Sequence, residues 1–553
     1  MARTHHGSSS GLPSRALPLA VLSLLASCTG AFDSRPAGPT GAPREPSTPP
    51  ESASISGARR LSQAELDATL YELLGDTTRP AARLLSEDEL APYDNDYTLQ
   101  RVSRALVESL EQLAIDVADR ATADPAVRAR IVPCTPAEPG DVDCFRAFVE
   151  RFTSRAFRRP VSGEDVDAYM PLLAFATEDA PYVDNDFYTA VNLVIRAVIQ
   201  DPEMLYRLEV GAPTDEPRVA ALTDHEIATR ISYLLWGTTP DDALMADAAA
   251  GRLRDPAGRR AAAERMLSDA RARDQLHRFH AMWLGYRAIP HTPELVASFD
   301  AETTALIDRV VFDDDADYLD LFTSPTTYLD PSLAAHYGLP AAEGGGSGWV
   351  RYPEGSGRAG ILSHGAVLAA FSKFTDTSPT QRGIFVRTRL MCDRVAPPPP
   401  TVDVDQPPGE GTDAVCKADR YAMHSDSSTS CAGCHSQFDP IGFGLERFDI
   451  GGRYRESEAA HPECAIDGAG ELPGIGPFSG PEELSRLLVE AGELDDCVVR
   501  QLWEFAGGRD PSAAEEPAIQ AAVQQFRDSG RSLRTLLIEL VASPRFALRA
   551  EEG

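Results

Sequence analysis

Lysine is almost missing: Lys373 and Lys417 are the only two among 553 residues. A ring of lysines that steers an acidic partner, as in some small soluble electron carriers, is therefore excluded. The remaining basic residues are arginines, a bias read as genome composition. Positive charge is scarce altogether, with 52 Lys+Arg against 84 Asp+Glu and a formal charge of −32. That acid excess repels phosphate and anionic lipid and argues against nucleic acid as a partner. No segment reaches the roughly 18 consecutive apolar residues that a membrane helix needs. Strand-type alternation is scarce, and no repeat of solenoid length occurs. No Ser/His/Asp triad order, phosphate-binding glycine loop or paired-carboxylate signature favours a hydrolase. Methionine is absent after Met423.

What is present begins with an export signal. Arg3, His5, His6 and Arg15 precede the apolar run Ala16 to Ala26, which has the length of a signal-peptide core. It ends in Leu25-Ala26-Ser27-Cys28, the form of a lipobox, in which Cys28 becomes the lipidated first residue. A plain signal peptide with a chance cysteine is the simpler alternative. Thr29 follows Cys28 where an inner-membrane retention signal would have Asp. The expected location is thus extracytoplasmic: a lipoprotein of the outer membrane of a Gram-negative bacterium, attached through its lipid anchor only.

Signal peptide 1–27 and a flexible Pro/Ser/Gly tether at 28–57 lead into a body that reads as helices. Ser62-x-x-Glu65, Ser162-x-x-Asp165 and Thr223-x-x-Glu226 have capping-box form. Leu66, Leu70 and Leu73, and likewise Ile227, Ile231, Leu234 and Leu235, recur at helical spacing. Residues 98–121 and 256–288 continue that period. Breaks at 123–143, 209–217 and 340–357 divide the body, and Pro397 to Pro408 forms a stiff connection. The reading is mainly α, with several helical domains in series: an N-terminal helical domain at 58–125, one at 126–210 holding Cys134 and Cys144, and one at 218–345. A cofactor-bearing domain at 350–460 and a C-terminal helical domain at 461–548 complete it.

The chemistry lies in Cys431-Ala432-Gly433-Cys434-His435, the C-x-x-C-H pattern of covalent c-type haem attachment. Two thiols three residues apart at the start of a helix reach the two vinyl groups of one porphyrin edge. The adjoining imidazole of His435 then serves as proximal iron ligand. Such haem is attached outside the cytoplasm, in agreement with the export signal. The alternatives are a thioredoxin-like pair, which needs a preceding strand, a zinc site adding Cys416 or Cys464, and a simple Cys431–Cys434 disulfide. Setting aside Cys28, Cys431 and Cys434 leaves six cysteines, an even number. Cys134 and Cys144 close a short loop. For the other four, sequence leaves connectivity open, and the preferred arrangement is Cys392–Cys497 with Cys416–Cys464.

The segment SPTQRGIFVRTRLMC from Ser378, the proline run and CAGCHSQFDPIGFGLERFDIGGRYRE from Cys431 resemble the planctomycete cytochrome c-like proteins. These are exported bacterial proteins built from several domains of unknown function. The blocks from Arg59, Arg155, Leu222 and Arg500 resemble the same family in the same order. The resemblance implies one covalent haem c per chain at Cys431, Cys434 and His435, and it leaves the reaction open.

With no downstream methionine, the sixth iron position needs another donor. His424 is the first candidate, ahead of His461 and Met423, with Met391 and His364 behind them; His424 could instead only orient the haem loop. Asp439-Pro440-Ile441-Gly442-Phe443 either turns the chain to pack Ile441 and Phe443 on the porphyrin or is an ordinary turn with core anchors. His277 and His280 give half a metal site at most. Asp313, Asp315 and Asp317 fail as a calcium loop, because Tyr318 and Ser324 stand where Gly and Glu are required. The functional expectation is electron transfer to an unknown redox partner in the periplasm or at the cell surface. The alternatives are a haem enzyme of peroxidase or oxidase type and a surface interaction protein with structural haem or zinc.

Overall fold

The computed structural model describes residues 53–86, 92–178, 185–373, 376–399, 409, 413–426 and 431–550. The signal peptide, Cys28, nearly all of the tether and most of the proline connection lie outside the described residues. The protein is mainly helical, as expected, with short strands in small sheets.

Each sequence signature of a helix start is used. Ser62, Ser162 and Thr223 accept from the backbone N–H three residues on, while Glu65, Asp165 and Glu226 answer to the cap's own N–H. The first helix, Gln63–Leu74, buries Leu66, Leu70 and Leu73 and stops at Gly75, whose φ of 70° suits glycine. Helices Arg104–Ala123, Val142–Phe157 and Phe187–Ile199 share its core around Leu113, Phe145, Phe148 and Val194. Cys134–Cys144 braces the start of the second of these three. Arg158 closes its end from within, donating to the carbonyls of Ala156, Met204 and Tyr206 at 2.9, 3.1 and 2.8 Å.

A second core gathers Tyr93 and buried residues between Leu222 and Phe546, drawing on helices Asp224–Leu235, Pro293–Asp308, Glu493–Gly507 and Leu533–Ala542. The long period at 256–288 is two helices, Pro256–Met266 and Ala270–Trp283. Asp269 divides them by capping the N–H of Arg271. Cys392–Cys497 ties this core to the segment that precedes the proline run.

The chain joins the fold inside the stretch read as tether. Ser54–Ile55 runs parallel to Leu548–Ala550, which pairs antiparallel with Val219–Ala221. Ala53, Val219 and Ala550 form a small buried cluster there. Its polar counterpart is Glu209, bonded by Arg230 and Ser56, while Arg230 also donates to the carbonyls of Phe546 and Leu548. No helix among the described residues is long and apolar enough to cross a membrane.

Candidate haem site

Two short helices cross at backbone contact and set the floor of the site. Pro379–Phe385 meets Asp439–Phe443 where both carry glycine. A Cβ on Gly383 would lie 1.8 Å from the carbonyl oxygen of Phe438, and one on Gly442 would lie 1.8 Å from that of Pro379. Only glycine allows this approach. Arg382, 1 % exposed, then fastens the chain beyond the crossing. It donates to the carbonyls of Leu445 and Phe448, both at 2.8 Å, and to those of Leu368 and Asp449 at 3.1 and 3.2 Å. Burial lowers the pKa of its guanidinium, and the nearby Glu446 carboxylate works against that.

A second anchor is Lys417. Its buried ammonium donates to Thr377 O at 2.8 Å and to carboxylate oxygens of Asp376 and Glu446 at 2.9 and 3.0 Å. Arg455 donates to the same oxygen of Glu446 at 2.9 Å. Cys416–Cys464 bonds the adjoining residue to the strand His461–Ala465. Together they place Tyr421 and His424 against the crossing helices.

On this floor stands the pentapeptide. Cys431 precedes the single turn Ala432–His435 and is half-buried; Cys434 is exposed, and both thiols are free. The other six cysteines among the described residues form three disulfides, the same three pairs as in the sequence reading. His435 donates from Nδ1 to Oδ2 of Asp439 at 3.0 Å, and His424 donates from Nδ1 to that same oxygen at 2.9 Å. The other carboxylate oxygen accepts from Thr380 at 2.7 Å. Burial works against the charge on Asp439, but these three donors outweigh it and hold its pKa below the ordinary carboxylate value. With Nδ1 of each histidine spent on the carboxylate, Nε2 is the free donor atom. The two rings lie side by side, centroids 3.8 Å apart and tilted by 34°. Phe438 meets His435 edge-on at 5.0 Å, and Tyr421 meets His424 in the same way at 5.1 Å.

These residues fit a c-type haem by their donor chemistry: two unpaired thiols on one turn, followed by an imidazole whose far nitrogen is already held. His424 stands in the same group, with Met423 next to it and exposed. His461 is apart, half-buried on its strand beside Glu463. His364 is buried against Thr303 and Glu302, and burial lowers its pKa to about 3. Met391 lies beside Arg387. Phe443 packs edge-on against Tyr421, whereas Ile441 is fully buried in the protein core and so does not face the site. The two residues that sequence reasoning missed are Asp439, taken only as a turn former, and its partner Thr380. The spacing of four between His435 and Asp439 was the available signal.

His277 and His280 do not converge. His277 bonds Asp308 at 2.9 Å, and His280 spans Leu276 O and the Tyr318 hydroxyl. Asp315 and Asp317 accept from Ser532 and Arg531 and so fasten the C-terminal helices.

Five families match the chain in series, each described as a protein of unknown function. They are DUF1587 at residues 59–123, DUF1595 at 144–209, DUF1592 at 222–339, DUF1588 at 358–458 and DUF1585 at 476–546. These domains make up the planctomycete cytochrome c-like multidomain family, and the chain belongs to it. Thr380, His424, Cys431, Cys434, His435 and Asp439 all lie in the DUF1588 block, which also bears the cytochrome-like name PSCyt3. No curated protein and no solved structure matches the chain.

Proposed function

We propose that this is an exported, lipid-anchored monohaem c-type protein that transfers electrons to a partner in the periplasm or at the cell surface. The observation that carries the reading is the selective state of the thiols. Three pairs of cysteines are oxidised, while Cys431 and Cys434, adjacent on one turn, are left free beside a pre-oriented His435. In the proposal Cys431 and Cys434 hold the porphyrin through thioether bonds and His435 offers Nε2 to the iron. Bound haem supplies one-electron chemistry between ferric and ferrous iron. The disulfides suit an oxidising compartment, and Cys28 is proposed as the lipidated residue.

The test is a pyridine haemochrome on denatured protein from a host with c-type maturation. A c-type spectrum supports the reading; its absence overturns it. A second reading has one observation behind it. Ligand atoms of His424, His435 and Asp439 all lie within 4.8 Å of one another, two imidazoles and a carboxylate suited to a transition-metal ion. Stoichiometric zinc in haem-free protein would favour that reading. The haem-enzyme alternative is separated by rapid carbon monoxide binding to a high-spin iron.

A further inference from the structure

The sequence leaves His424 as a candidate for the iron's sixth position, yet the geometry around Asp439 gives it another place. Imidazoles on opposite faces of one iron each bind through Nε2 at about 2 Å, which puts their Nδ1 atoms roughly 8 Å apart. Here both Nδ1 atoms bond one oxygen, at 2.9 and 3.0 Å, so they lie within about 6 Å of each other. The rings are stacked neighbours, not opposed ligands.

We infer that Asp439 is the positioning residue of the centre: it orients His435 for the iron as a full carboxylate partner, and it holds His424 beside His435, off the iron axis. This inference rests on the haem reading above. Asp439 is itself fixed on every side. Thr380 bonds its other oxygen, and the Gly383/Gly442 crossing sets its backbone. A carboxylate behind a ligating imidazole gives that imidazole anionic character, which favours ferric over ferrous iron. Asp439 therefore lowers the reduction potential, and His424, by sharing the same oxygen, tempers how much of that charge reaches His435.

The experiment uses the full chain matured with haem and compares wild type with Asp439→Asn, Asp439→Glu, Thr380→Val and His424→Gln. Covalent haem is counted by mass, the midpoint potential by redox titration and the spin state by absorption spectra. Asp439→Asn should keep haem and raise the potential by at least the equivalent of a tenfold change in the redox equilibrium, 59 mV for one electron. Asp439→Glu should return part of the shift. Thr380→Val should raise the potential by less, and it decides the matter if Asp439→Asn matures poorly. His424→Gln should leave the spin state of the ferric iron unchanged. An unmoved potential in both Asp439→Asn and Thr380→Val, with haem in place, overturns the inference alone. So does a change from low to high spin in His424→Gln. Wild-type protein without haem overturns the functional reading, and this inference with it.

Discussion

The amino-terminal core and the carboxyl-terminal body use histidine and cysteine in opposite ways. From residue 53 to residue 224 the chain has no histidine, and its two cysteines are joined in one disulfide. That core is leucine, valine and phenylalanine, closed by an arginine that donates to carbonyls. The carboxyl-terminal body holds every other histidine of the described chain, and most are structural. His277, His280, His291, His336 and His364 bond Asp308, Tyr318, Ile450 O, Gly451 O and Thr303. Among the described residues only His424 and His435 share a single carboxylate oxygen, and His435 directly follows the free thiol of Cys434. A histidine is assigned to chemistry by its partners, not by its presence.

That contrast can be broken from either side. The largest effect is expected for the double variant Cys431→Ala/Cys434→Ala, which should lose covalent haem altogether while keeping its helical circular dichroism. Phe148→Ala should do the reverse: it should cost about 3–5 kcal/mol of stability by emptying the amino-terminal core, yet leave haem attached. Denaturant unfolding read beside haem content separates the two. Arg382→Met should strike both properties, because it leaves the buried carbonyls of Leu445, Phe448, Leu368 and Asp449 without this donor, while Glu446 keeps Lys417 and Arg455. A buried polar group left without its partner costs about 1–3 kcal/mol, and the loss should come with incomplete haem attachment on a denaturing gel stained for haem.

Gly442→Ala should cost at least about 1–3 kcal/mol, the usual range for overpacking, since its methyl group meets the Pro379 carbonyl. Shifted haem absorption at unchanged haem content would show that the crossing positions Asp439. The smallest effect concerns acid. Burial raises the Glu209 pKa, but Arg230, Arg59 and the Ser56 hydroxyl outweigh it and bring it down to about 2. A depressed carboxyl pKa contributes stability that is complete above the unfolded value of 4.5 and is lost as pH falls toward 2. The slope is at most about 1.4 kcal/mol per pH unit. Glu209→Gln should flatten the acid limb of stability against pH between 4.5 and 2; an unchanged limb would assign the acid sensitivity elsewhere.

The helical class was legible because capping boxes and apolar periods are local signals. Ser62, Ser162 and Thr223 are each used as written. The pentapeptide was legible for the same reason, since its chemistry needs only five consecutive residues. What sequence could not supply is contact across distance. Thr380 and Asp439 lie 59 residues apart, and the Gly383 and Gly442 approach is visible only once two helices cross. The entrance of the chain at Ala53 escaped because it depends on pairing with Leu548–Ala550 at the far end of the sequence. The break at Asp269 escaped too: apolar residues on both sides of it keep nearly the same period.

The central claim is that Cys431 and Cys434 carry covalent haem with His435 on the iron. Intact mass of the denatured mature chain, followed by mapping of the peptide that spans Cys431 to His435, tests it most directly. One haem per chain on that peptide is the predicted result. A peptide with both cysteines unmodified or joined to each other, in protein that retains zinc, would contradict it.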